Sequence, residues 1–209
     1  MNSMRAGIVS ACLCLASLAG SAQPSVGADS APTVNAIWVE KDIEFTYMAF
    51  TTYYSCDGLR DKLRWVMQEI GARPGFQVRV TGCMDKGPDL IPRVRITAAM
   101  LQEVTPELLA RLAEDASRRE LIARAAGKSA EVNEATAQLP ARTRRVEFRD
   151  RVGSRIEDGE CELVEQLRDK VFVPLGARVV EDQLSCVPKT VMHGDVRLTI
   201  EVLEPVPPQ

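Results

Sequence analysis

Downstream of Cys56, apolar residues recur at the three- and four-residue spacing of a single helical face: Leu59, Leu63, Val66, Met67 and Ile70. The spacing returns downstream of Cys161 with Val164, Leu167, Val171, Phe172 and Leu175. Each stripe predicts a helix that begins at a cysteine. Asp57 and Asp61 in one, Glu160 and Glu162 in the other, put negative charge near the positive end of the helix dipole, so the acidic cluster reads as a charged helix entrance. Gly71 and Gly176 fit the left-handed residue that closes a helix, and Pro174 predicts that the second helix stops slightly sooner than the first. Around both helices the pattern changes. Ile37-Trp38-Val39 and Phe45-Thr46-Tyr47 are rich in aromatic and β-branched residues, 76–83 and 179–186 read as extended, and 94–96 and 196–202 alternate like strands.

The two stretches agree in order as well as in kind. Cys56 is followed ten residues on by Val66 and then by Ile70-Gly71-Ala72-Arg73; Cys161 is followed ten residues on by Val171 and then by Leu175-Gly176-Ala177-Arg178. Ile43-Glu44-Phe45 and Val146-Glu147-Phe148 precede them, and Cys83 with Val94-Arg95-Ile96-Thr97, or Cys186 with Val196-Arg197-Leu198-Thr199, follow. Such agreement points to a duplicated unit. The expected fold is α+β: a β-α-β-β unit at 36–104 and another at 143–204, in a largely antiparallel sheet or sheets with helices packed on one face. Within each unit the first two strands should run parallel across the helical crossover and the last two should form a hairpin. One continuous sheet and two lobes both satisfy the pattern. Between the units, 105–142 reads as a connecting helical segment and loop. Thr105 is its N-cap, Pro106 its first residue, and Ser117 with Glu120 is spaced as a capping box that restarts the helix. Residues 205–209 should fray.

Near the start, Arg5 supplies a positive n-region, 6–18 is an apolar run, and Gly20-Ser21-Ala22 offers a cleavage site, so 1–22 reads as a signal peptide and 23–35 as a flexible leader. The run is shorter than the roughly 20 residues that cross a bilayer, and no membrane span is expected after cleavage. A periplasmic or secreted location follows. The formal net charge of −3 becomes −4 once Arg5 is lost, which argues against nucleic acid as a partner. Cys12 and Cys14 leave with the signal. If each unit closes its own bridge, the remaining cysteines pair as Cys56–Cys83 and Cys161–Cys186. Loops of this length contribute about 3.5 kcal/mol each in the chain-entropy view.

Chemical motifs are sparse. Gly127-Lys128-Ser129 imitates the end of a phosphate loop, but Ile122 stands where the first glycine is required. His193 is the chain's one histidine and sits with Asp195 in a turn-like stretch, so neither a zinc centre nor any other metal or cofactor is expected. Arg142, Arg144, Arg145, Arg149, Arg151 and Arg155 form a basic stretch interrupted by Glu147, which reads as a solvated or edge-protecting face. Tyr53, Tyr54 and Trp65 occur in one unit only; Trp65 aligns with Lys170. Residues free of the shared pattern are available to a partner, and these three are the candidate binding residues. The function expected is that of an exported, non-catalytic binding or assembly module recognising a protein or peptide in the cell envelope. The alternatives are an envelope hydrolase using Asp57, Asp61 or Glu69 beside Tyr53 or Tyr54, and a secreted inhibitor presenting loops 84–92 or 187–195.

Non-reducing peptide mapping of exported protein should give an N-terminus at Gln23 and the links Cys56–Cys83 and Cys161–Cys186. Cys56 joined to Cys161 or Cys186, or free thiols at all of these positions, would contradict the pairing.

Overall fold

The structure, a computed structural model, describes residues 32–48, 52–83, 91–127, 137–149, 155–157, 159–186 and 196–207. The expected signal peptide, residues 23–31 of the leader, Lys128 and Ser129, Arg151, His193 with Asp195, loop 187–195 and most of loop 84–92 lie outside these residues. The described chain is α+β. Its elements in order are β1 (Thr33–Thr46), α1 (Cys56–Glu69), β2 (Gln77–Thr81), β3 (Arg93–Glu103), α2 (Pro106–Ala125), β4 (Leu139–Arg149), α3 (Cys161–Leu167), a π-helical turn (Arg168–Phe172), α4 (Val173–Leu175), β5 (Arg178–Leu184) and β6 (Val196–Pro205).

Among the described residues the strands form one six-stranded sheet in the order β2-β3-β1-β4-β6-β5, and every neighbouring pair is antiparallel. β2 pairs with β3 and β5 with β6, as hairpins should. β1 and β2 run parallel, with β3 inserted between them. The two sides of the sheet join through a short ladder, Thr33–Ala36 against Leu139–Arg142. This ladder explains why β1 starts at Thr33 rather than Ala36: Thr33, Val34 and Asn35 look like leader by composition, but a distant strand pairs with them. At the other end β6 reaches Pro205, and the Val206 amide donates to the Pro140 carbonyl at 2.9 Å.

Alternation along the strands separates a core face from a charged one. Val78, Ile96 and Ile43 lie side by side across β2, β3 and β1, as do Leu198 and Phe148 across β6 and β4. All are buried in one cluster with Leu59, Leu63, Val66 and Met67 of α1 and Leu163, Val164 and Leu167 of α3. The opposite face carries ion pairs: Arg95 with Asp42 and Glu44, Arg145 and Arg178 with Glu201, Arg149 with Glu147. Disulfides join Cys56 to Cys83 and Cys161 to Cys186 with Cα separations of 5.5 and 5.4 Å. Each ties the first residue of a helix to the chain just past the following strand.

Both helices end in the same way. The amide of Gly71 bonds back to Gln68 and that of Ala72 to Met67; Gly176 bonds to Val173 and Ala177 to Phe172. Both glycines have positive φ, 78° and 93°. Pro174 does not end the second helix early. Lacking an N–H, it cannot donate within the ladder, and the chain takes a wider π turn at Arg168–Phe172 before continuing to Leu175. Ser117 does not restart α2 either; its hydroxyl donates to the Ala113 carbonyl at 3.0 Å inside a continuous helix.

The two halves cap each other. Lys41 of β1 donates to the Pro174 carbonyl at 2.5 Å, and Arg144 of β4 donates to the Glu69 carbonyl. Lys41 and Arg144 both stand two residues before the shared apolar-Glu-Phe triplet. Each cation therefore meets the negative end of the other half's helix, where carbonyls lack intrahelical donors. Lys41→Met and Arg144→Met should each lower unfolding free energy by about 1 kcal/mol. Urea denaturation at unchanged m-value checks this, and no loss for either variant would remove the caps from the account of stability.

Candidate functional site

The helix starts bring Tyr54 to its partner. Ser55 caps α1, its hydroxyl accepting the Gly58 amide at 3.0 Å. Glu160, which aligns with Ser55 by its place before the cysteine, makes no such cap on α3. Its carboxylate turns toward the first half instead. It accepts from the Tyr54 hydroxyl, from Lys62 Nζ at 2.9 Å and from the Glu157 amide at 2.7 Å. Glu160 is 2% exposed, so this acid is not the solvated helix entrance its sequence suggests. A buried carboxylate needs a paired cation and hydrogen bonds, and the first half supplies most of them.

Trp65, apparently off the apolar face of α1, also meets the second half. Its ring stands edge-on to Phe148 at 6.1 Å, and the Arg155 guanidinium lies over it at 5.9 Å. Tyr54 and Trp65 thus face the other half of the chain, whereas Tyr53 is 69% exposed. Of the acids considered beside these tyrosines, Asp57 and Asp61 lie 2.9 and 3.5 Å from Arg60. Among the described residues no group of three or more His, Cys, Asp or Glu is placed to hold a metal.

A groove of about 680 Å³ lies elsewhere, where the C-terminal ends of β3 and β6 approach each other between the start of α2 and the end of α4. Met100, Leu108, Leu175, Val202 and Leu203 give it apolar walls. Gln102, Thr143, Arg111, Arg178 and Glu201 give it polar ones. Gly176 admits the Gln102 side chain: a Cβ there would stand 3.1 Å from the amide nitrogen, on a backbone already left-handed. Gln102 in turn donates to the Leu175 carbonyl at 3.3 Å and accepts from Arg111 at 3.4 Å. Burial works to raise the Glu201 carboxyl, but hydrogen bonds from Arg145 and Arg178 outweigh it and hold it below the ordinary range. Arg111 has no carboxylate partner within ion-pair distance among the described residues. Burial, and then the field of Arg111, lower the Lys41 ammonium. Sequence reading missed this groove because its walls come from six elements with no shared local motif. The helix-rich stretch carrying Arg111 gave no signal, and Arg178 looked like a fold residue because Arg73 matches it.

In comparisons with family models, curated proteins and solved structures, nothing matches this chain. Among the described residues no helix is long and apolar enough to cross a membrane. Two disulfides are compatible with a periplasmic or extracellular location.

Burial, reinforced by Glu162 and Glu160, raises the Tyr47 hydroxyl; burial, then the hydrogen bond to Glu160, raises Tyr54. Their folded values lie above the unfolded value of about 10, so the stability they contribute is complete below about pH 10 and falls as pH rises beyond it. Urea midpoints measured between about pH 8 and 11.5 should drop at the alkaline end, with tyrosinate absorbance rising only as the fold opens. Tyr54→Phe should flatten that dependence and cost about 1 kcal/mol at neutral pH.

Proposed function

We propose that this chain is an exported, non-catalytic binding module of the cell envelope, which takes a peptide segment of a protein partner into the groove between α2 and α4. The scaffold is read as two copies of one β-α-β-β segment. Matching cysteine bridges, matching helix closures and the reciprocal Lys41 and Arg144 caps support that descent. The observation that carries the binding reading is the groove's composition. An apolar floor accepts a hydrophobic side chain, and beside it Arg111 presents a guanidinium whose one side-chain partner among the described residues is a neutral amide. A guanidinium so placed favours a carboxylate, through paired N–H donors. The peptide recognised therefore presents an apolar residue next to an acidic one.

A photo-crosslinking residue at Arg111 in exported protein should trap a discrete envelope partner. The same residue at Arg79, on the charged face of β2, should not. Thr143→Trp, which fills the groove from an exposed position, should abolish trapping without changing thermal stability. Equal trapping at Arg79, or trapping that survives Thr143→Trp in folded protein, would refute the reading.

A further inference from the structure

Helix α2 leaves the body of the protein partway along its length. Leu108 is buried with Ile37 and Val39, and Leu112 packs at the edge of that cluster. Beyond Leu112 no residue of the helix is buried, and Ile122 is 63% exposed. Helical segments this short are marginal by themselves in water. Glu114 with Arg118, and Glu120 with Arg124, support the outer turns one turn apart.

The stripe that anchors α2 continues past the anchor. Positions 108, 112, 115, 119, 122 and 126 alternate steps of four and three residues, so they share one face, which reads Leu, Leu, Asp, Arg, Ile, Ala. Charge is distributed unevenly along the helix. Its first half holds Arg111 against Glu107, Glu114 and Asp115; its second holds Arg118, Arg119 and Arg124 against Glu120. Two such helices side by side in parallel set like charge against like. In antiparallel array each acidic half faces a basic half. Centred on Ser117, that array places Leu112 opposite Ile122 and Asp115 opposite Arg119, twice over by symmetry. The stripe is its own complement.

We propose that the outer part of α2 is a docking surface for a second copy of this chain, the two helices packing antiparallel about Ser117. The paired Asp115 and Arg119 fix the register, and Ile122 buries apolar area against the part of Leu112 that its own cluster leaves open. Leu121 faces away from this stripe and takes no part. The proposal does not rest on what the groove binds, because the contacts it invokes, at Leu112, Asp115, Arg119 and Ile122, are not groove-lining residues.

Sedimentation equilibrium of the full exported chain should show a reversible dimer. Ile122→Glu should weaken it by about tenfold or more, while Leu121→Glu, equally exposed but off the stripe, should leave it intact. Arg119→Asp sets acid against acid and should give monomer; adding Asp115→Arg to it reverses both partners and should restore the dimer. Circular dichroism and intact bridges confirm that each variant is folded, which the exposure of these positions favours. A wild-type chain that stays monomeric up to about 100 µM overturns the proposal. So does a dimer that Ile122→Glu leaves unchanged, or a double reversal that fails to restore association.

Discussion

The fold rests on an exchange between its halves. The last turn of a helix leaves carbonyls without intrahelical donors, and here each half supplies the cation that meets the other half's helix end. Lys41 reaches from β1 to the end of α4, and Arg144 from β4 to the end of α1. The same crossing recurs in the core, where Trp65 meets Phe148, and at the helix starts, where Glu160 is neutralised by Lys62. The disulfides do something different. Each closes a loop within its own half and so limits the unfolded chain locally, whereas a shared core, a short ladder and these crossed contacts hold the halves together.

Much of this was legible from residue order because it depends on local chemistry. A helix beginning at Cys56 or Cys161 and closing at Gly71 or Gly176 follows from apolar spacing and a residue that tolerates positive φ. The cysteine pairing follows from two stretches that resemble each other. What escaped was set at a distance. Thr33 to Asn35 look like leader until Ala141 and Arg142 are beside them. Pro174 looks like a stop until a π turn removes the clash. Glu160 looks like a solvated dipole partner until Lys62 and Tyr54 close over it. The asymmetry between the halves marks Tyr54 and Trp65 as residues for a partner, and the structure sets both side chains against the second half.

Electrostatics divides the surface by role. The open face of the sheet pairs most of its arginines with acids, which keeps long strands soluble without making a strongly signed field. The outer strands are poor templates for further pairing: β2 is five residues long, and β5 shifts register at an exposed Val180. Of the two arginines at the groove wall, Arg178 is paired with Glu201, while Arg111 has no carboxylate partner among the described residues.

The order of the bridges has a consequence for how the chain matures. The cysteines of the described residues join in sequence order, Cys56 with Cys83 and Cys161 with Cys186, without interleaving. A polypeptide oxidised as it emerges from one end meets its thiols in the order in which they belong together. In a chain oxidised that way, these four thiols can pair between successive neighbours without a bond that must later be exchanged.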